Sequence, residues 1–218
     1  MRMISSDDLD LAVEAIESGE LAILPTRRWY MICANASDHA ACARIFTGKA
    51  RPQSKPLALV LPHADLANDL FVTTPHSRQL ASEFWPGDLA LFLRWRVSVD
   101  GRTHAPVGES HALVTMDPGV LGELARRSSV PIAATTANIS EVTGSTPAGP
   151  AITTAEVEQF VADAAIEVAY CVEGGICPLA HHLTIVDCTT ADARIVRSGV
   201  IHDRAVAAAI TAIQPQPA

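Results

Sequence analysis

Apolar and polar positions change period along this chain, and the changes mark its elements. In "SSDDLDLAVEAIESGE" the apolar residues Leu9, Val13 and Ile16 recur at helical spacing, behind a capping serine (Ser5 or Ser6) and acids in the first turn; Gly19 ends the segment. The apolar run "LAILP" reads as a strand. "SDHAACARIFTGK" reads as a helix from Ser37 to Gly48, and "PLALVLP" as the next strand. Thr74 followed by Pro75 opens a helix that Pro86 and Gly87 close. "LALFLRW", "HALVT" and "VPIAATT" read as strands, with a helix near "GVLGELARRS".

The remaining third continues the alternation. A polar Gly/Pro stretch, "SEVTGSTPAGP", precedes a helix near 154–162, strands at "IEVAY", "LTIVD" and "ARIVR", and a closing Ala-rich helix. This mixed order predicts an α/β fold: a sheet with both parallel and antiparallel pairs, covered by helices. No internal repeat and no dividing linker is visible. We expect one domain over 1–212 and a disordered tail over 213–218.

Composition narrows the picture. In 218 residues, 49% are hydrophobic and 18% charged, enough to bury a large core. The net charge of -8 argues against whole-surface attraction to nucleic acid or anionic membrane, while leaving room for a local basic cleft. No apolar run approaches the roughly 20 residues of a membrane span. Five irregularly spaced cysteines and an N-terminus without an apolar core segment point to a reduced, cytoplasmic setting.

Three short segments carry candidate chemistry. "IFTGKARPQSKPLALVLP" gathers Lys49, Arg51 and Lys55 on one loop; this is either a solvated turn or an anion site. "PIAATTANIS" ends an apolar strand in Thr136, Asn138 and Ser140, where α/β sheets bind ligands and where Asx and Ser turns also close strands. "RIVRSGVI" ends another strand in Arg197 and Gly199, a planar fork of donors beside a residue that permits close backbone approach. The spacing of Cys171, Cys177, His181 and His182 is not a usual structural-zinc pattern, and no metal ligands are expected. "GSTPAGP" lacks the Lys of a P-loop and reads as a flap over the cleft. Trp29 is core, cavity wall, or a stacking platform for adenine.

Taken in order, "LAILPTRRWYMI", "IFTGKARPQSKPLALVLP", "FWPGDLALFL", "TTANIS", "VEGG", "HHLTIVD" and "RIVRSGVI" resemble the motifs of the YrdC-like threonylcarbamoyl-AMP synthases. The resemblance implies a twisted open mixed sheet around a positively charged central cavity. It also implies condensation of L-threonine, bicarbonate and ATP into threonylcarbamoyl-AMP, which partner proteins use in tRNA modification. By the same resemblance Lys49 and Arg51 are the catalytic pair holding phosphate and carboxylate oxygens. Thr26, Tyr30, Thr136, Asn138, Thr184 and Arg197 bind substrate or nucleotide, and Mg²⁺ rides on the triphosphate rather than in a protein cage.

The departures are concentrated. Where the family reads PTDTVYGL, this chain has Arg27, Arg28, Trp29 and Met31; where it reads V-x-V-R-x-P, this chain has Thr115 and Asp117; His182 and Leu183 replace a Pro-Ser pair, and Ala90 a Thr. Arg27 and Arg28, on adjacent strand positions, are expected to point to opposite faces, so that only one reaches the cavity. Three readings follow: an ordinary synthase, a paralogue activating a different amine or carbamoyl donor, or a non-catalytic nucleotide or RNA binder. The acidic charge and the lack of a Lys/Arg stripe predict weak or no direct RNA binding.

Overall fold

Strand-forming runs in this chain alternate between two buried faces, and the helices divide accordingly. The structure, a computed structural model, describes residues 1–96, 105–140 and 149–212. Its strands are β1 (Arg2–Ile4), β2 (Ala22–Pro25), β3 (Tyr30–Asn35), β4 (Ala58–Val60), β5 (Phe71–Val72), β6 (Leu89–Trp95), β7 (His111–Thr115), β8 (Ile132–Thr136), β9 (Tyr170–Val172), β10 (Thr184–Asp187) and β11 (Arg194–Arg197). The helices are α1 (Leu9–Glu17), α2 (His39–Gly48), α3 (Leu66–Leu70), α4 (Pro75–Phe84), α5 (Val120–Arg127), α6 (Thr154–Ala164) and α7 (Asp203–Thr211).

Among the described residues all eleven strands form one open mixed sheet, in the order β1-β9-β2-β3-β8-β4-β7-β6-β10-β11, with β5 on β6. The pairs β1–β9, β2–β9, β4–β7 and β6–β10 are parallel, and the rest antiparallel. Successive side chains in a strand point to opposite faces. Ala22 and Leu24 of β2, with Met31 and Cys33 of β3, therefore pack with Leu9, Val13 and Ile16 of α1 and Leu121 and Leu124 of α5. Ile23, Ile32 and Ala34 face the other way, in the larger cluster that includes Ile45 and Phe46 of α2, Leu80 of α4, Phe160 of α6 and Val206 of α7.

The caps follow the expected chemistry with small shifts. Ser5 accepts from the Asp7 amide ahead of a short 3₁₀ turn, and Thr74 forms a reciprocal capping box with Ser77. α2 is capped by Asp38 rather than Ser37, its carboxylate accepting from the Ala40 and Ala41 amides. The strand expected at 166–170 lies at Tyr170–Val172, where the chain pairs with both β1 and β2. Residues 101–104 of the polar loop 101–108, most of the 144–150 flap and the 213–218 tail lie outside the described residues.

One expectation is corrected. Arg27 and Arg28 are not strand residues: β2 and β3 pair antiparallel with Pro25 opposite Tyr30, so residues 26–29 form the turn between them. The two-face rule for strands does not apply there, and both guanidiniums reach the same carboxylate, Asp88.

Candidate functional site

The end of α2 sets the direction of the cationic loop. The Ala50 amide donates to Thr47 O (3.0 Å) and the Arg51 amide to Phe46 O (2.9 Å). This is a Schellman turn, with Ala50 in the left-handed region at φ 48°. The turn sends Lys49 and Arg51 apart. Lys49 goes inward and is only 1% exposed. Its Nζ donates to Thr136 O (2.6 Å), to the main-chain oxygen of Asn138 and to Asn138 Oδ1 (3.3 Å), and lies 5.4 Å from the Phe160 ring centroid. Burial, then the charge of Arg51, pulls its pKa down to about 7. Arg51 turns the other way; its Nε donates to Lys55 O (2.7 Å) and its Nη2 to Pro56 O (2.8 Å), which fixes the fork.

Lys49 also accepts from the Ser140 amide through its own carbonyl (2.8 Å), so both its ends hold the segment after β8. Within that segment Thr136 Oγ1 donates to Asn138 Oδ1 (2.6 Å), and Asn138 Nδ2 donates to Ile139 O (2.8 Å).

These elements wall a cleft of about 490 Å³. It brings together Arg51, Lys55, Thr136, Asn138, His182 and Arg197 over a floor of Phe92, Leu113 and Ile185. Arg197 arrives from β11 and donates from Nε to Leu183 O (3.1 Å). Among the described residues no Asp or Glu lines it. Three cations over an apolar floor, with hydroxyl and amide groups beside them, are an arrangement chemically suited to a polyanion. Burial lowers the pKa of both Arg51 and Arg197, the latter also through Arg28, yet both stay guanidinium at any ordinary pH. His182 is held below the usual imidazole pKa by burial, then by Arg197 and His181.

The other sequence-selected residues lie off the cleft lining. Thr26 Oγ1 donates to Trp29 O (2.9 Å) and accepts from the Arg28 and Trp29 amides, closing the 26–29 turn. Tyr30 is fully buried; its hydroxyl donates to Gly175 O (3.0 Å) and accepts from the Gly174 amide (3.1 Å). A Cβ on Gly174 would lie 2.4 Å from Pro25 Cγ, which explains the glycine in "VEGG". Thr184 is buried too, exchanging hydrogen bonds with Ile201 through Oγ1. Gly199 serves the same contact: a Cβ there would lie 2.4 Å from His182 O, so its close approach is to the protein's own backbone. Lys49 likewise is absent from the lining.

Among the departures, Arg28 is buried against Asp88 and lies 3.8 Å from Asp117, while the half-exposed Arg27 closes on the other oxygen of Asp88. Burial, and less strongly Asp88, raises the pKa of Asp117, against the amides of Gly119 and Gly122 and the charge of Arg28. Thr115 is buried and donates to Leu89 O (3.0 Å). Arg27, Arg28, Asp88 and Asp117 thus form one internal cluster of two arginines and two aspartates. Sequence reasoning passes over Asp88, because the burial of Arg28 that demands a carboxylate is visible only in the fold. His182, which the sequence marks as a departure from a Pro-Ser pair and as part of the Cys/His stretch, lines the cleft, and its ring lies 5.7 Å from that of Trp29.

All five cysteines are free and buried. Burial pushes the thiols of Cys42, Cys171 and Cys188 up to about 12, well away from nucleophilic use. Among the described residues no group of three His, Cys, Asp or Glu side chains is placed to hold a metal, and no helix is long and apolar enough to cross a membrane.

Known proteins resemble this chain in sequence and in fold. A family model named Sua5_yciO_yrdC, described as "Telomere recombination", matches residues 14–199. A Mycobacterium tuberculosis relative is 30% identical over 90% of this chain and 86% of its own length. A threonylcarbamoyl-AMP synthase of Bacillus subtilis is 28% identical over 95% of this chain, which spans 58% of that protein. P. abyssi Sua5, solved in complex with L-threonine, superposes with a TM-score of 0.83 at 25% identity, covering 98% of this chain and 62% of its own. The fold is also that of E. coli YciO, with a TM-score of 0.70 at 17% identity over 90% of this chain and 91% of that one. With the model match extending over most of its length, the chain belongs to the Sua5/YciO/YrdC family.

Proposed function

We propose that the protein is an ATP-dependent nucleotidyltransferase that makes L-threonylcarbamoyladenylate from L-threonine, bicarbonate and ATP, for use by partner proteins that modify tRNA. The observation that carries this reading is the cleft that gathers Arg51, Lys55 and Arg197 beside Thr136 and Asn138. Similarity to synthases supports it. In the reaction, the amine nitrogen takes up the carboxyl group of bicarbonate with loss of water. A carbamate oxygen then attacks the α-phosphorus, the bond from that phosphorus to the bridging oxygen breaks, and pyrophosphate leaves. Charge moves from oxygen to oxygen throughout, so the protein's work is positioning and electrostatic stabilisation. Arg51 and Arg197 hold phosphate oxygens, Thr136 and Asn138 orient substrate, and Lys49 adds positive charge from behind the Thr136–Asn138 segment. Mg²⁺ would come as part of the ATP substrate, shielding the triphosphate charge without a protein cage.

A second reading is favoured by one observation, the Arg27–Arg28–Asp88–Asp117 cluster at positions where the family's opening and V-x-V-R-x-P motifs differ. With those contacts turned inward, the acceptor is a different amine or carbamoyl donor, activated by the same adenylation.

Pyrophosphate release from ATP and bicarbonate tests both. Release that depends on L-threonine supports the first reading. Release only with another amino acid or with carbamoyl phosphate supports the second, and ATP binding without release under any condition refutes both.

A further inference from the structure

Joining an amine to bicarbonate releases a proton. Near neutral pH the amine arrives as an ammonium group, whose nitrogen has no lone pair, so one proton must leave before the nitrogen attacks the carbon of bicarbonate. A second N–H proton and the bicarbonate hydroxyl then depart as water, which leaves the carbamate. The first proton is the surplus, and some group has to take it.

Among the described residues, the cleft lining offers one side chain suited to this. Arg51, Lys55 and Arg197 are cations without an acceptor, and apart from His182 the other lining residues carry hydroxyl, amide or apolar side chains. His182 is held by its main chain just ahead of β10. The Val200 amide donates to His182 O (3.0 Å), and a Cβ on Gly199 would lie 2.4 Å from that same oxygen. Its ring leans on Trp29, 5.7 Å away and tilted by 52°. Neither ring nitrogen makes a hydrogen bond among the described residues, so one stays open as an acceptor.

The charged or titratable groups around the ring are Arg197 on β11 and His181 beside it, with Arg51 and Lys55 on the cleft wall. No carboxylate among the described lining residues competes for the proton. Burial, then Arg197 and His181, favours the neutral ring, which is the form that accepts. The Pro-Ser pair that the family carries here has no group that titrates near neutral pH, so this feature comes with the departure.

We propose that His182 is the general base of the reaction, one ring nitrogen taking the surplus proton from the ammonium group of the amino-acid substrate and passing it to solvent. The inference rests on the adenylation reading, whichever amino acid is the substrate.

The test compares the parent with His182→Asn, which keeps a polar side chain at an exposed position and removes the titration. Pyrophosphate release is followed from pH 6 to about 8.5 with ATP, bicarbonate and L-threonine, or the amino acid that replaces it under the second reading. In the parent, kcat/KM for the amine should level off above about pH 6.5, the ordinary imidazole value. In the variant it should be at least about tenfold lower at pH 7 and climb with pH, as the amine comes to deprotonate unaided. Lys49 is common to both proteins, so its titration cancels in the comparison. A variant with the parent's rate, or one slowed equally at every pH, would overturn the assignment and leave the adenylation reading standing. So would release that needs carbamoyl phosphate in place of an amine. A parent that releases no pyrophosphate under any of these conditions overturns both.

Discussion

Lys49 Nζ donates to both the main-chain and the side-chain oxygen of Asn138, so a buried ammonium group sets the position of a residue that lines the cleft. The same amine holds Thr136 O, and the Lys49 carbonyl holds the Ser140 amide. Substituting Lys49 therefore acts on the cleft through three of its wall residues, whereas substituting Arg51 acts on the lining directly. Lys49→Met and Arg51→Ala are each expected to lower pyrophosphate release at least about tenfold, or about 1.4 kcal/mol of transition-state stabilisation. Steady-state kinetics on both variants check this, and a near-normal rate removes that residue from the working site.

Lys49 also makes stability depend on pH. Its folded pKa, about 7, lies below its ordinary value of 10.5. Above pH 7 the unfolded chain binds a proton there that the folded chain does not, so stability rises with pH. The raised thiol pKa values act in the opposite direction, but only where unfolded cysteines ionise, near pH 9. Urea denaturation of the parent and of Lys49→Met between about pH 7 and 8.5 isolates the lysine contribution as the difference between them, because the thiols act equally on both. The parent should gain stability relative to Lys49→Met across that window.

Ala50 occupies the left-handed position of the Schellman turn at φ 48°, a conformation that costs a residue with a Cβ about 1 kcal/mol. Ala50→Gly is expected to stabilise the fold by a few tenths to about 1 kcal/mol, the glycine's greater unfolded-state entropy offsetting part of the gain. Pyrophosphate release should be unchanged. A loss of stability in urea denaturation would mean that the turn carries no such strain.

Arg28→Ala should be severe. It leaves Asp117 without its cation and Asp88 with only the half-exposed Arg27, at an expected cost of about 3–5 kcal/mol. Adding Asp88→Asn and Asp117→Asn removes the stranded charge and should recover part of that loss in the same denaturation assay. A single substitution as stable as the parent would show that the cluster is not acting as one unit.

Legibility in the sequence followed how local the cause was. β6, β7 and α4 lie where pattern and caps place them, because their apolar runs are bounded by Pro, Gly or Thr-Pro. β3 was absorbed into the opening motif, since Met31 and Ile32 continue the apolar character of β2 across a short turn. The convergence of Arg51, Thr136, Asn138 and Arg197 on one cleft was readable as strand-end chemistry, each residue lying at the end of an element. The inward course of Lys49 was not, because it depends on a left-handed alanine. Nor was the pairing of Arg27 and Arg28 with Asp88, a contact across sixty residues that no local pattern encodes.

β11 is the last strand of the sheet, paired on one side to β10 and with no further strand beyond it among the described residues. The cleft thus takes one arginine from a turn locked by four backbone carbonyls and another from an edge strand, the part of a sheet most exposed to fraying. A polyanion spanning Arg51 and Arg197, as the proposed function requires, would act as a staple, lending the firmness of the α2 turn to the margin of the sheet.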